Sequence, residues 1–155
     1  MIRDLDVQER QQIVANNYIG NLSYIHNNKP YIVPITYFYD LKNKALIGYS
    51  AKGHKISAMR ENKDVSVLVT EIDSVNNWKS VLAYGVYEEL SGSQALAKLH
   101  QFSLGVKDLI INKEHRKLDF INEFSSQINK YNLPIIFQIN IYETTGKMRH
   151  QKSTE

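Results

Sequence analysis

The loop from Ser50 to Ala58, "SAKGHKISA", gathers the residues best suited to chemistry, and it opens a short helical pattern that runs on to Asn62. A helix N-terminus carries a partial positive charge and several unpaired amides, so sequences normally place Asp or Glu in its first turn. Here Lys52, His54 and Lys55 crowd that turn with no acid among them, and Gly53 lets the backbone approach a neighbour closely. An anion, most simply a phosphate, satisfies the amides and the lysines together. A solvated basic turn on a helix held by tertiary packing uses the same residues, and the loop alone does not choose between the two.

Other chemistries find less support. The absence of cysteine removes disulfides, thiolate metal sites and cysteine nucleophiles. No two of the five histidines stand at a metal-ligand spacing such as i, i+4, so no metal site is expected. A G-x-S-x-G elbow, a P-loop and a Rossmann fingerprint are all missing. No side chain is therefore assigned a catalytic role. If the protein is an enzyme, a cofactor must carry the reaction and the chain must orient it.

The elements that position the loop read as one domain over 1–155. At 43% hydrophobic the chain can bury a core without staples. A net charge of +3 permits an anionic ligand without calling for nucleic acid. The start "MIRDLDVQER" lacks an apolar leader and no stretch approaches a membrane span, which leads us to expect a cytoplasmic protein.

Residues 1–16 are expected to hold an N-terminal helix, read over 4–16. Three strands follow from Tyr18 to Ser50, with turns at Asn27-Asn28 and Lys42-Asn43. One of these, "PYIVPITYFYD", alternates β-branched and aromatic residues around a central Pro34, which suits an edge strand or one with something other than a strand beside it. "VSVLVTEI" and "KSVLAYGVYEEL" resume the strands, with Gly85 marking a bulge or a barrel bend. Ser91 or Ser93 caps a helix to about Leu104 with Leu96, Leu99 and Phe102 on one face, and a second helix is read at about 115–129. "PIIFQINIYET" is the last strand, one face core and the other wet or shared, before a flexible basic tail from 148. Six strands with inserted helices predict a mainly β fold, a six-stranded antiparallel split β-barrel with attached helices.

The order of these elements resembles the pyridoxamine 5'-phosphate oxidase-like family. The likeness lies in a strand with a central "VP", a strand ending "YSA", "GHK" opening a helix that ends "MRENKDVSVLV", and the later "WKSVLAYGVYEEL". It runs from Tyr18 to Leu90, with an echo in "INIYETTGK", and is closest to the small nitroimidazole-resistance-type branch. The resemblance implies an FMN-binding split barrel, a homodimer with flavin at the subunit interface, and oxidoreductase chemistry on a small organic molecule.

It also implies a set of cofactor contacts. Val33, Pro34, Ile35 and Thr36 would lie beside the flavin ring. Ser50 and Lys55 would hold the phosphate, with Tyr49, Ala51, Lys52 and His54 near it; Tyr49 stands where relatives commonly carry histidine. Thr70, Trp78 and Ser80 complete the set, although Trp78 equally suits a core anchor. The C-terminal arginine and histidine signature of vitamin B6 phosphate oxidases is not reproduced by "GKMRHQKSTE", which argues against that substrate. The alternative is a non-catalytic protein that binds flavin, deazaflavin or haem.

Overall fold

The computed structural model describes residues 1–114 and 134–152. In chain order the elements are β1 (Ile2–Asp4), α1 (Val7–Asn16), β2 (Ile19–His26), β3 (Lys29–Thr36), β4 (Phe38–Asp40), β5 (Ala45–Ser50), α2 (His54–Glu61), β6 (Asp64–Ser74), β7 (Asn77–Leu90), α3 (Gly92–Glu114) and β8 (Ile135–His150). The strands form one antiparallel sheet in the order β3-β2-β6-β7-β8-β5-β4, with β1 added along β8. The sheet curls until Cα atoms of β3 and β5 come within 8 Å, yet no ladder joins them. It is an open, split barrel. The described residues hold eight strands where six were expected, the extra two being β1 and β4.

The β2–β3 hairpin shows how local chemistry sets the register. Asn27 and Asn28 both have positive φ, 50° and 59°, the signature of a two-residue type I′ turn. Pairing then runs from His26 opposite Lys29 to Ile19 opposite Thr36. The run "PYIVPITYFYD" does not stay one strand. At Tyr37 the chain turns a corner: the side chain is fully buried and its hydroxyl donates to Val14 O at 2.8 Å. Beyond it β4 pairs with β5, at the other end of the sheet. Alternation of residue types cannot reveal such a hop, because both halves remain extended.

Two cores hold the barrel. Inside it, Leu22, Tyr24, Leu46, Val67, Val81, Phe137 and Ile139 pack with Ile13 and Val14 of α1 and Ile56 and Met59 of α2. A second core lies between α3 and the strands β5 and β8, built from Ile47, Ile136, Leu99, Phe102, Val106 and Ile110. The face of β8 read as wet or shared is thus partly covered: Ile136 and Gln138 are buried. The helix α3 runs ten residues past the expected end at Leu104, and its apolar stripe is Leu99, Phe102, Val106 and Ile110. Leu96 is 57% exposed and does not belong to that stripe. The helix read at about 115–129 lies outside the described residues.

The chain ends also differ from expectation. The first helix starts at Val7, behind a short strand, and β8 continues to His150 through pairs with both β1 and β7. Gly85 does mark a bulge, where β7 and β8 shift register. A Cβ there would lie 2.5 Å from Ile139 Cγ2, so the close approach requires glycine.

Candidate functional site

The start of α2 keeps its orphan amides. Gly53 is the N-cap and supplies no side-chain hydrogen bond, and the first turn contains no acid. The Ser57 amide bonds back to Gly53 O at 3.1 Å, which leaves the amides of residues 53 to 56 without an acceptor among the described residues. Lys52 is exposed and Lys55 half-buried. Neither makes an ion pair among the described residues, so two lysines stand at a helix terminus with no carboxylate paired to them.

A group of rings fixes that corner to the barrel. The Tyr24 hydroxyl lies 2.8 Å from His54 Nδ1. Tyr24 stacks on Tyr31 with centroids 5.3 Å apart and planes 8° from parallel, and Tyr31 lies 4.7 Å from the His54 ring. His26 meets His54 edge-on at 5.1 Å. Its Nδ1 is 3.5 Å from Glu61 Oε2, near enough for charge attraction but without hydrogen-bond geometry. Sequence reading missed Tyr24, Tyr31 and His26 as parts of the site. The signal was present: once the turn is placed at Asn27-Asn28, residues 24 and 31 must face each other.

The strand β3 supplies the second wall. It is an edge, paired only with β2. Backbone pairing alternates along an antiparallel ladder, and the Tyr37 amide donates to Tyr18 O at 2.8 Å, so the 18/37 pair is hydrogen-bonded. By the same alternation Gly20/Ile35, Leu22/Val33 and Tyr24/Tyr31 are hydrogen-bonded pairs, whereas Ile19/Thr36, Asn21/Pro34 and Ser23/Ile32 are not. The nitrogens of Pro30 and Pro34 therefore point to the free edge, where they remove two amide protons that another strand could otherwise take. Free-edge backbone groups come from Ile32, Pro34 and Thr36. Val33 and Ile35 turn theirs into the β2 ladder, and their side chains pack against the inner core. Direct pairing of Val33 or Ile35 backbone with a ring is thus ruled out by register.

The remaining expected contacts divide by face. Pro34 shares a cross-sheet row with Asn21, Leu68, Leu82 and Thr145. Thr36, Thr70 and Ser80 lie two positions along their strands from that row and Trp78 four, so all stand on the same outer face. The loop Ser50 to Lys55 is reached from the inner side, where Tyr24 and Tyr31 point. The edge of β3 lies between the two groups. Ser50 is buried and its hydroxyl donates to Ala51 O at 2.8 Å. Tyr49 points to the opposite face of β5 and meets Phe102 of α3 edge-on at 5.1 Å; burial pushes its phenol pKa up. Tyr49 thus belongs to the α3 packing and not to the α2 corner. Among the described residues no cluster of His, Asp or Glu could hold a metal ion, and no helix is long and apolar enough to cross a membrane.

Comparison with known proteins places this geometry. The profile of the Pyridoxamine 5'-phosphate oxidase family matches residues 6–119, and the chain belongs to that family. An uncharacterised protein of Rhizobium meliloti is 36% identical over 105 residues, covering 66% of this chain and 68% of its own. The crystal structure of an FAD-binding protein from Mesorhizobium loti superposes with a TM-score of 0.74 at 25% identity, over 97% of this chain and 98% of that one. A proposed 5-nitroimidazole antibiotic resistance protein from Bacteroides thetaiotaomicron shares the fold, with a TM-score of 0.65 at 16% identity over 98% and 92% of the two chains. The fold is the split barrel of this family.

Proposed function

We propose that this protein holds FMN, with the phosphate at the first turn of α2 and the ring along the free edge of β3, and that it is an oxidoreductase acting on a small organic molecule. The observation that carries the reading is the uncapped, acid-free start of α2 beside a proline-marked strand edge. The donor set fits a phosphate: the amides of 53 to 56, the half-buried Lys55 and the more exposed Lys52 all lie at the start of α2. Backbone groups of Ile32, Pro34 and Thr36 face outward, where a planar polar edge can pair with them. When bound, the flavin supplies hydride or electron exchange, so the chain needs no side-chain nucleophile, acid or base of its own. Its residues anchor, orient and shield.

The same reading makes the protein a homodimer with flavin between subunits. Its support is the outer face of β3, β2, β6 and β7, since α1 and α2 pack on the inner side. Ile19, Ile32 and Ile72 are exposed there beside Leu68, Leu82 and Trp78. A patch of this kind suits a second copy better than solvent.

The test is the absorption spectrum of the purified protein, followed by chromatography of the released cofactor. A flavin doublet with FMN in the extract supports the proposal; a haem Soret band or a colourless protein that takes up no added FMN overturns it. FAD is the second reading, favoured by the description of the Mesorhizobium loti relative, and the same chromatogram separates it. Sedimentation on dilution tests the dimer, because a monomer that keeps full flavin occupancy contradicts a shared site.

A further inference from the structure

The geometry assigns Tyr24 a positioning role in that site: it holds the His54 imidazole as the tautomer protonated on Nε2, and the Nε2 proton is the donor offered to a phosphate monoester. This rests on the flavin-phosphate reading above. Tyr24 is only 3% exposed, and burial pushes its phenol pKa up, so it keeps its proton. A buried phenol proton needs an acceptor, and among the described residues the Tyr24 hydroxyl has one partner, His54 Nδ1 at 2.8 Å. If Nδ1 carried the proton it would donate to the phenol oxygen, and the buried phenol proton would be left without an acceptor among the described residues. Tyr24 therefore donates, Nδ1 accepts, and the neutral ring carries its hydrogen on Nε2.

Nothing among the described residues bonds Nε2, and the residue is exposed. The ring cannot easily turn away, because Tyr31 lies against it at 4.7 Å and His26 meets it edge-on at 5.1 Å. The stack of Tyr31 on Tyr24 in turn holds the phenol in line. Charged and titratable neighbours of this ring are Tyr24 and His26 on β2, Tyr31 on β3, and Lys52, Lys55 and Glu61 around α2. The lysines draw the anion, and His54 adds a directed bond. The ligand class is a phosphate monoester, and the uncharged flavin lacking its phosphate should not sense Tyr24.

The experiment uses the full chain and its Tyr24→Phe, His54→Gln and His54→Asn variants, titrated with FMN and with riboflavin. Tyr24→Phe should weaken FMN roughly two- to tenfold, the range for one neutral hydrogen bond, and leave riboflavin unchanged. His54→Gln, which keeps a donor at the ε position, should retain more FMN affinity than His54→Asn, and adding Tyr24→Phe to His54→Gln should cost no more. The cofactor-free protein gives a second readout: imidazole 15N shifts should report the Nε2-protonated tautomer, and Tyr24→Phe should broaden it toward a mixture. Equal loss of FMN and riboflavin would make Tyr24 merely structural and overturn the inference, as would an Nδ1-protonated His54. A wild-type chain that binds riboflavin as tightly as FMN, or neither, would instead bring down the phosphate reading and this inference with it.

Discussion

The chain closes one helix N-terminus and leaves another open. At α1, Asp6 accepts from the Glu9 amide at 2.8 Å, and Glu9 returns the bond to the Asp6 amide at 3.2 Å, a complete capping box. Arg3 then pairs with Glu9. Its hydrogen bond, with the Asp6 amide second, pulls the Glu9 pKa down from 4.5 to about 2. At α2 there is no capping side chain and no acid, and lysines stand where acids would help. One sequence thus supplies both the remedy and its omission. Leaving the second terminus open forgoes stability that the first shows to be available, and the proposed phosphate would supply the missing acceptor there.

Swapping the two designs should produce the largest effects. Gly53 has extended backbone, and a Cβ there would meet nothing closer than Ala51 O at 4.0 Å, so Gly53→Asp fits without strain. The new carboxylate should cap α2, gaining a few tenths of a kcal/mol, while lowering FMN affinity tenfold or more (roughly) by occupying the amides and repelling phosphate. Lys55→Glu should cost FMN affinity roughly ten- to a hundredfold, the range of a charge-assisted hydrogen bond, with an unchanged circular dichroism spectrum. Intact FMN affinity in both variants would break the comparison. Asp6→Ala should do the converse, losing about 1 kcal/mol in denaturant unfolding with FMN binding preserved.

Pro34→Ala comes next in size. It should lower stability by only ~0.4 to 1 kcal/mol through added freedom in the unfolded chain, since the nitrogen has no ladder partner. Its effect on flavin affinity or redox potential should be larger. A large stability loss with unaltered flavin binding would mean that β3 is merely an edge. The smallest effect is an acid one at the first turn of α1. A carboxylate with a depressed folded pKa stabilises above its unfolded value and loses that contribution as pH falls through the folded one. Protection of the first-turn amides of α1, taken relative to intrinsic exchange at each pH, should therefore fall between about pH 4.5 and pH 2, whereas the first turn of α2, which has no carboxylate of its own, should not follow that window.

Much of this was legible because turns and caps are local. Asn27-Asn28 announced the hairpin, and Lys52 to Lys55 announced the open helix start, each within a few residues. Pro34 announced an edge but not which backbone groups face outward; that depends on the parity of the ladder, settled here by Tyr18 and Tyr37. The break between β3 and β4 was invisible because it is a change of partner, not of conformation. The N-terminal strand escaped notice because three residues against the far end of β8 carry no pattern of their own. Tyr49 was read together with its neighbour Ser50, yet adjacent strand residues face opposite ways, and the position next to Ser50 looks toward α3.

The most direct measurement compares FMN with riboflavin on the full-length protein by fluorescence titration, in the wild type and in Lys55→Glu. The account predicts that the wild type prefers FMN by about tenfold or more and that the variant binds the two nearly alike. Equal affinity for both ligands in the wild type, or an FMN preference that survives in Lys55→Glu, would contradict it.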